Sequence, residues 1–144
     1  MSTESKFTLN VSRTFDASPE EVFDAWIDPE IARQWLFAHP KEETVRVEID
    51  ARVGGRFTVT RRGEQDTEHF GEYLEVDRPR KLVFSFSVPR YSLEDTRITI
   101  EIVPKGSGCE LTLYHEGVLP EWAEGMRGGW NSMLQGLAST LTAR

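Results

Sequence analysis

Residues 119–144 read LPEWAEGMRGGWNSMLQGLASTLTAR, and their spacing decides how the rest of the chain must fold. Trp130, Leu134, Leu137 and Leu141 recur at steps of four, three and four, so they share one stripe of a helix. Met126 and Met133 widen that stripe. Gly128 and Gly129 should each weaken a helix by about 1 kcal/mol relative to Ala, which predicts a break or bend at this pair and a firm helix from around Trp130. This is the only long segment with an apolar helical stripe, so the stripe must meet some other apolar layer.

That layer is legible upstream as alternation. KFTLNVSRTFDA (6–17) sets Phe7, Leu9 and Val11 on one face, and Thr8, Asn10 and Ser12 on the other, the pattern of a half-buried strand. From Thr44 the period of two returns: Val45, Val47 and Ile49 alternate with Arg46, Glu48 and Asp50. Gly54-Gly55 in VGGRF predicts a tight hairpin, after which Phe57 and Val59 continue the apolar face. EHFGEYLEV, KLVFSFSV, TRITIEIV and CELTLYHE follow as strands, separated by Pro79, Pro89, Pro104, Gly106 and Gly108. Leu82, Phe84 and Phe86 share a face, as do Ile98, Ile100 and Ile102, and Leu111, Leu113 and His115. Short connections predict antiparallel neighbours.

Between the first strand and the others lies FDASPEEVFDAWIDPEIARQW (15–35). Ser18 with Pro19 and Glu21 forms a capping box, and Asp28 with Pro29 and Glu30 repeats the device, so two short helices start here. Their apolar stripes carry Val22, Phe23, Trp26 and Ile27, then Ile31, Ala32, Trp35 and Leu36. Most of the acids fall in first turns, where the helix dipole favours them. The order predicts an α+β architecture: a curved antiparallel sheet of six or seven strands around the C-terminal helix, with two short helices closing one end. Residues 1–144 read as one such domain.

Composition narrows the function. A net charge of −7 argues against nucleic acid or an anionic membrane as partner, because phosphate binding rests on positive charge. The basic clusters, Arg61-Arg62 and Arg78 with Arg80-Lys81, read as solvated hairpin ends. No apolar run reaches the ~18 residues of a membrane span. MSTESKFTLN lacks a signal-peptide core, and the single cysteine, Cys109, fits a reducing cytoplasm and reads as an inert thiol. The open edges of such a sheet make a homodimer plausible.

RTFDASPEEVFDAWIDPEIARQW (13–35), ARVGGRF (51–57), GEYLEVDRPRKLVFSF (71–86) and LTLYHEG (111–117), in this order, resemble the motif set of activator of heat-shock protein 90 ATPase homologue-like proteins. Gly129-Trp130, then Leu134, Leu137 and Leu141, also fit; Leu36 departs, where many relatives carry a second Trp. These proteins belong to the START-like (SRPBCC, birch-pollen-allergen-type) helix-grip superfamily. The resemblance implies a sheet gripping the C-terminal helix, often around a hydrophobic cavity. It also implies a chaperone as one conceivable partner, and cyclase- or dehydratase-type chemistry as another use of the fold.

The candidate cavity residues are Trp26, Trp35, Phe57, Tyr73, Phe84, Phe86, His115, Trp130 and Leu134, with Tyr73 or His115 orienting a small apolar or amphipathic molecule. A filled core is the alternative reading of the same aromatics. His115 reads either as a core-edge histidine with a satisfied hydrogen bond or as that orienting group. In FGEYLEV, Glu72 shares parity with Phe70, Leu74 and Val76; if that face is inward a carboxylate is buried, and if Gly71 marks a bulge, Tyr73 turns inward instead. Only Glu72, Tyr73 and His115 are candidate acids or bases, and none is assigned as catalytic. His39, His69 and His115 lack metal-ligand spacing, His39 reads as exposed, and no cofactor motif is present.

Overall fold

Ser18 Oγ accepts the Glu21 N–H at 3.1 Å, and the Glu21 carboxylate accepts the Ser18 N–H at 3.1 Å. This reciprocal cap starts α1 (Pro19–Ile27). Asp28 ends that helix and caps the next, accepting the Glu30 N–H at 3.0 Å, so α2 (Pro29–Trp35) follows without a linker. The computed structural model describes residues 7–39, 41–90 and 95–142. The strands are β1 (Phe7–Phe15), β2 (Glu43–Ile49), β3 (Arg56–Arg62), β4 (Thr67–Asp77), β5 (Lys81–Phe86), β6 (Thr96–Lys105) and β7 (Gly108–Val118). They form one curved antiparallel sheet in the order β1-β7-β6-β5-β4-β3-β2. A 3-10 turn at Pro120–Trp122 leads into α3 (Ala123–Thr142), which packs against β1, α1 and α2.

The gripped stripe is Ala123, Trp130, Leu134 and Leu137, all buried. It meets a sheet face built from Leu9, Ile98, Ile100, Leu111 and Leu113, each of them sealed from solvent. Fully burying side chains of this size contributes about 1.5–3 kcal/mol each, which is what sets the register of every strand against the helix. Arginines from the helices reach both end strands: Arg127 Nη1 donates to the Asn10 carbonyl of β1 at 2.8 Å, and Arg33 Nη1 to the Thr44 carbonyl of β2 at 3.1 Å.

Three local expectations fail. Helix α3 has no break at Gly128-Gly129; it is continuous from Ala123. Both glycines are exposed, and the packing of Ala123 and Trp130 on either side offsets their propensity cost. Gly54-Gly55 does not form a two-residue hairpin. The connection spans residues 50–55, with Gly54 at φ 86° and a bond of 2.7 Å from the Gly55 N–H to the Arg52 carbonyl. Arg61 is not at a solvated hairpin end: it shares parity with Phe57 and Val59, so it faces inward, and its side chain is only 13% exposed. Arg62, on the other face, is exposed.

Strand β4 takes the second of its two phasings, by a different route. Thr67, His69 and Tyr73 are buried, while Glu68 and Leu74 are exposed, so Glu72 lies on the outer face. Register with β3 is uniform across Gly71, which pairs with Phe57. A Cβ at Gly71 would overlap the Phe57 ring and the Ser85 carbonyl, which is why glycine stands there. The bulge comes later. Tyr73 pairs with Phe84 and Glu75 with Val83, leaving Leu74 as the extra residue.

Candidate ligand-binding cleft

Trp130 Nε1 lies 3.1 Å from His115 Nδ1, and His115 Nε2 lies 2.8 Å from Thr96 Oγ1. An indole N–H only donates, so Nδ1 must accept and the proton of the neutral imidazole sits on Nε2. The chain then has one direction: Trp130 Nε1–H to His115, His115 Nε2–H to Thr96, and the Thr96 hydroxyl to the Phe86 carbonyl at 3.3 Å. Burial pulls the His115 pKa down to about 4, consistent with a ring held neutral. His115 therefore ties α3 to β6 and β7 and has no ring nitrogen to spare.

His69 differs. Its Nδ1 lies 3.0 Å from the Val59 carbonyl, which can only accept, so the proton is on Nδ1. Burial holds its pKa at about 4, against the Val59 bond, with the nearby Arg61 charge adding to the fall. Nε2 therefore carries a lone pair, and no partner for it exists among the described residues. The sealed, unpartnered polar side-chain atoms among those residues are Trp26 Nε1, Thr60 Oγ1 and Arg61 Nε. His69 Nε2 is not one of them, so open space reaches it. Phe37 lies flat on the imidazole, centroids 4.6 Å apart at 3°, and on Phe86 at 4.9 Å and 17°. It does so with φ 54°, a left-handed conformation that costs roughly 1–2 kcal/mol for a residue with a Cβ. Its N–H points at Met133 Sδ, 3.2 Å away.

These groups border a cleft of about 670 Å³ between α3, the end of α2 and the inner sheet face, walled by Trp35, Phe37, Phe86, Trp130 and Met133. Phe86, Val88 and Met126 also border a second cleft of about 720 Å³, whose far wall carries Leu119 and Trp122. Of the nine cavity candidates, Trp35, Phe86, His115 and Trp130 line the first cleft. Trp26, Phe57, Tyr73, Phe84 and Leu134 line neither and pack in the core, where Trp26 meets Trp35 edge-on at 4.6 Å and Phe57 meets Phe84 edge-on at 5.2 Å. Sequence reasoning missed Phe37, His69 and Arg61. Parity with Tyr73 and Phe57 would have flagged the last two. Phe37 follows α2 in no periodic pattern, so nothing marked it.

The acid and base candidates divide accordingly. Glu72 is on the outer face. Burial raises the pKa of the Tyr73 hydroxyl, with the Asp50 charge second, so it keeps its proton. Burial, followed by the charges of Glu20 and Glu21, likewise raises that of the Cys109 thiol, leaving a poor nucleophile. His39 is exposed and lies at the cleft mouth. Among the described residues, no three His, Cys, Asp or Glu side chains gather as metal ligands, and no helix is long and apolar enough to cross a membrane.

The sequence pattern of the activator of Hsp90 ATPase homolog 1-like proteins matches residues 16–142. The chain belongs to that family. Among solved structures, protein CV1439 from Chromobacterium violaceum is 28% identical, with TM-score 0.83 over 92% of this chain and 94% of its own. The AHSA1-like protein from Aeromonas hydrophila is 19% identical, with TM-score 0.80 over 94% and 92%. SA2116 from Staphylococcus aureus reaches TM-score 0.86 at 15% identity over 96% and 95%, a likeness of fold alone. No curated protein matches the chain. Membership agrees with the curved sheet and gripped helix; the aromatic plate of Phe37 over His69 and Phe86 is read from this chain's own geometry.

Proposed function

We propose that the chain binds a small amphipathic molecule in the cleft beside α3. The observation that carries this reading is the 670 Å³ cleft itself, with four aromatic walls and, at its edge, the open, unpartnered Nε2 of an otherwise buried imidazole. Its volume falls in the range of small-molecule sites, about 300–1,000 Å³. Burial of ligand surface would supply affinity at about 25 cal/mol per Å² of apolar area, less the cost of ordering the ligand. Proton-transfer chemistry draws less support: His115 is saturated, Tyr73 is held protonated, and His69, with a pKa near 4, is a weak base at neutral pH. A chaperone contact through residues 16–30 gains nothing from the geometry, because Glu21 and Asp28 are spent on caps and Asp24 on Arg78, at 2.7 Å.

The test is a titration with a library of lipids and aromatic metabolites, followed by tryptophan fluorescence and melting temperature. Binding predicts a saturable response with a rise in melting temperature. No saturable response anywhere in the library would defeat the proposal.

A further inference from the structure

We infer that His69 sets the head-group specificity of this cleft, its Nε2 accepting a hydrogen bond from a hydroxyl or N–H of the bound molecule, so that the cleft takes donor-bearing apolar molecules in preference to carboxylates. This rests on the binding reading above and goes further by naming the ligand class.

His69 is only 5% exposed, yet it borders the cleft. Its Nδ1–H is committed to the Val59 carbonyl on β3, which fixes both tautomer and ring orientation and directs Nε2 away from that strand. Phe37 covers one face of the imidazole, so a ligand meets the ring at its edge, where the lone pair lies. A lone pair in a mostly apolar cleft rewards a donor and repels a second lone pair. A hydroxyl or N–H satisfies it; an ether, ester or carboxylate oxygen does not.

Arg61 is the group that would argue for an anion, since among the described residues it is the only Arg, Lys, Asp or Glu lining this cleft. Its charge is already answered by Glu42, with Nη1 3.5 Å from Oε1, and its Nε is sealed from any ligand. A carboxylate entering here would face the His69 lone pair beside a cation that already has a counter-charge. The donor preference at His69 therefore decides the head group.

The experiment uses the full chain and three matched probes at neutral pH: 2-naphthol, its methyl ether 2-methoxynaphthalene, and 2-naphthoate. Dissociation constants come from calorimetry, and the His69 ring nitrogens are followed by 15N NMR. One net hydrogen bond predicts that naphthol binds about fivefold more tightly than its ether. Naphthoate binds weakest, and the Nε2 resonance moves upfield with naphthol only. In His69→Phe, which keeps a ring under Phe37, the naphthol-to-ether ratio falls to about one. The NMR readout on the unmodified protein stands even where that variant fails to fold. Equal affinities with an unmoved Nε2 resonance would overturn the inference and leave the binding proposal intact. Tightest binding by naphthoate would overturn it in favour of Arg61. No binding by any of the three would overturn the inference and leave the binding proposal to the library titration.

Discussion

Trp130 and His115 are joined by a buried N–H···N bond of 3.1 Å that links the gripped helix to the strand it covers. Because the indole can only donate, this one contact fixes the histidine tautomer and, through it, the bonds to Thr96 and the Phe86 carbonyl. Trp130→Phe keeps one aromatic ring, deletes the donor and removes some buried volume, whose cost adds to that of the lost bond. Leaving a buried acceptor unpaired should cost about 1–3 kcal/mol, read as a lower denaturation midpoint with an unchanged slope. An unchanged midpoint would show that the bond carries no net stability.

Both buried histidines make stability pH-dependent. Each has a folded pKa of about 4 against an ordinary 6.5, so between these values the unfolded chain binds more protons than the folded one. Their contribution is fully present above about pH 6.5 and is lost as pH falls toward 4, on the order of 3 kcal/mol for each ring. Asp24, held below the usual carboxylate range by the Arg78 hydrogen bonds, adds a smaller loss at more acidic pH. Denaturation from pH 8 to pH 4.5 should give a plateau and then a steep fall. A flat profile would mean that neither ring is held neutral.

Phe37 reverses the usual order of alanine and glycine. Truncating it removes the plate over His69 and Phe86, a loss of about 3–5 kcal/mol for either replacement. At φ 54°, though, glycine is unstrained and alanine is not. Phe37→Gly should therefore be more stable than Phe37→Ala by about 1 kcal/mol. The opposite order would place Phe37 in an ordinary backbone conformation.

The unbroken helix supports a fourth stability measurement. A Cβ at Gly128 would meet nothing within 4 Å. Gly128→Ala should raise stability by about 0.5–1 kcal/mol and leave ligand affinity alone, since Gly128 lines neither cleft. Destabilisation would point to a bend at this pair after all.

The fold was legible because each element announced itself locally. Ser18 and Asp28 carry their caps in sequence, and the Trp130, Leu134, Leu137 stripe can be satisfied only by an apolar sheet face. The cleft was legible only in part. In β4 the inward positions hold Thr67, His69, Gly71 and Tyr73, while the outward ones include Phe70 and Leu74, so hydrophobicity does not single out the right phase. The Leu74 bulge, which lets Val76 pack against the core, adds to that ambiguity. Gly71 is small because of the Phe57 ring across the ladder, a fact of tertiary packing that no local pattern carries. Trp26, Phe57 and Phe84 look like cavity wall in the sequence because a large ring in a core and a large ring in a lining are alike there; only the position of the space separates them.

The chain has four tryptophans, which gives the most direct test. Trp130 and Trp35 line the cleft, Trp122 lines its neighbour, and Trp26 lines neither. The four indole N–H signals are resolved by 1H–15N NMR and followed to saturation with 2-naphthol. Ligand in the cleft beside α3 predicts a large, saturable shift at Trp130, a smaller one at Trp35 and an unmoved Trp26. Four unmoved signals, or a shift at Trp26 with none at Trp130, would contradict it.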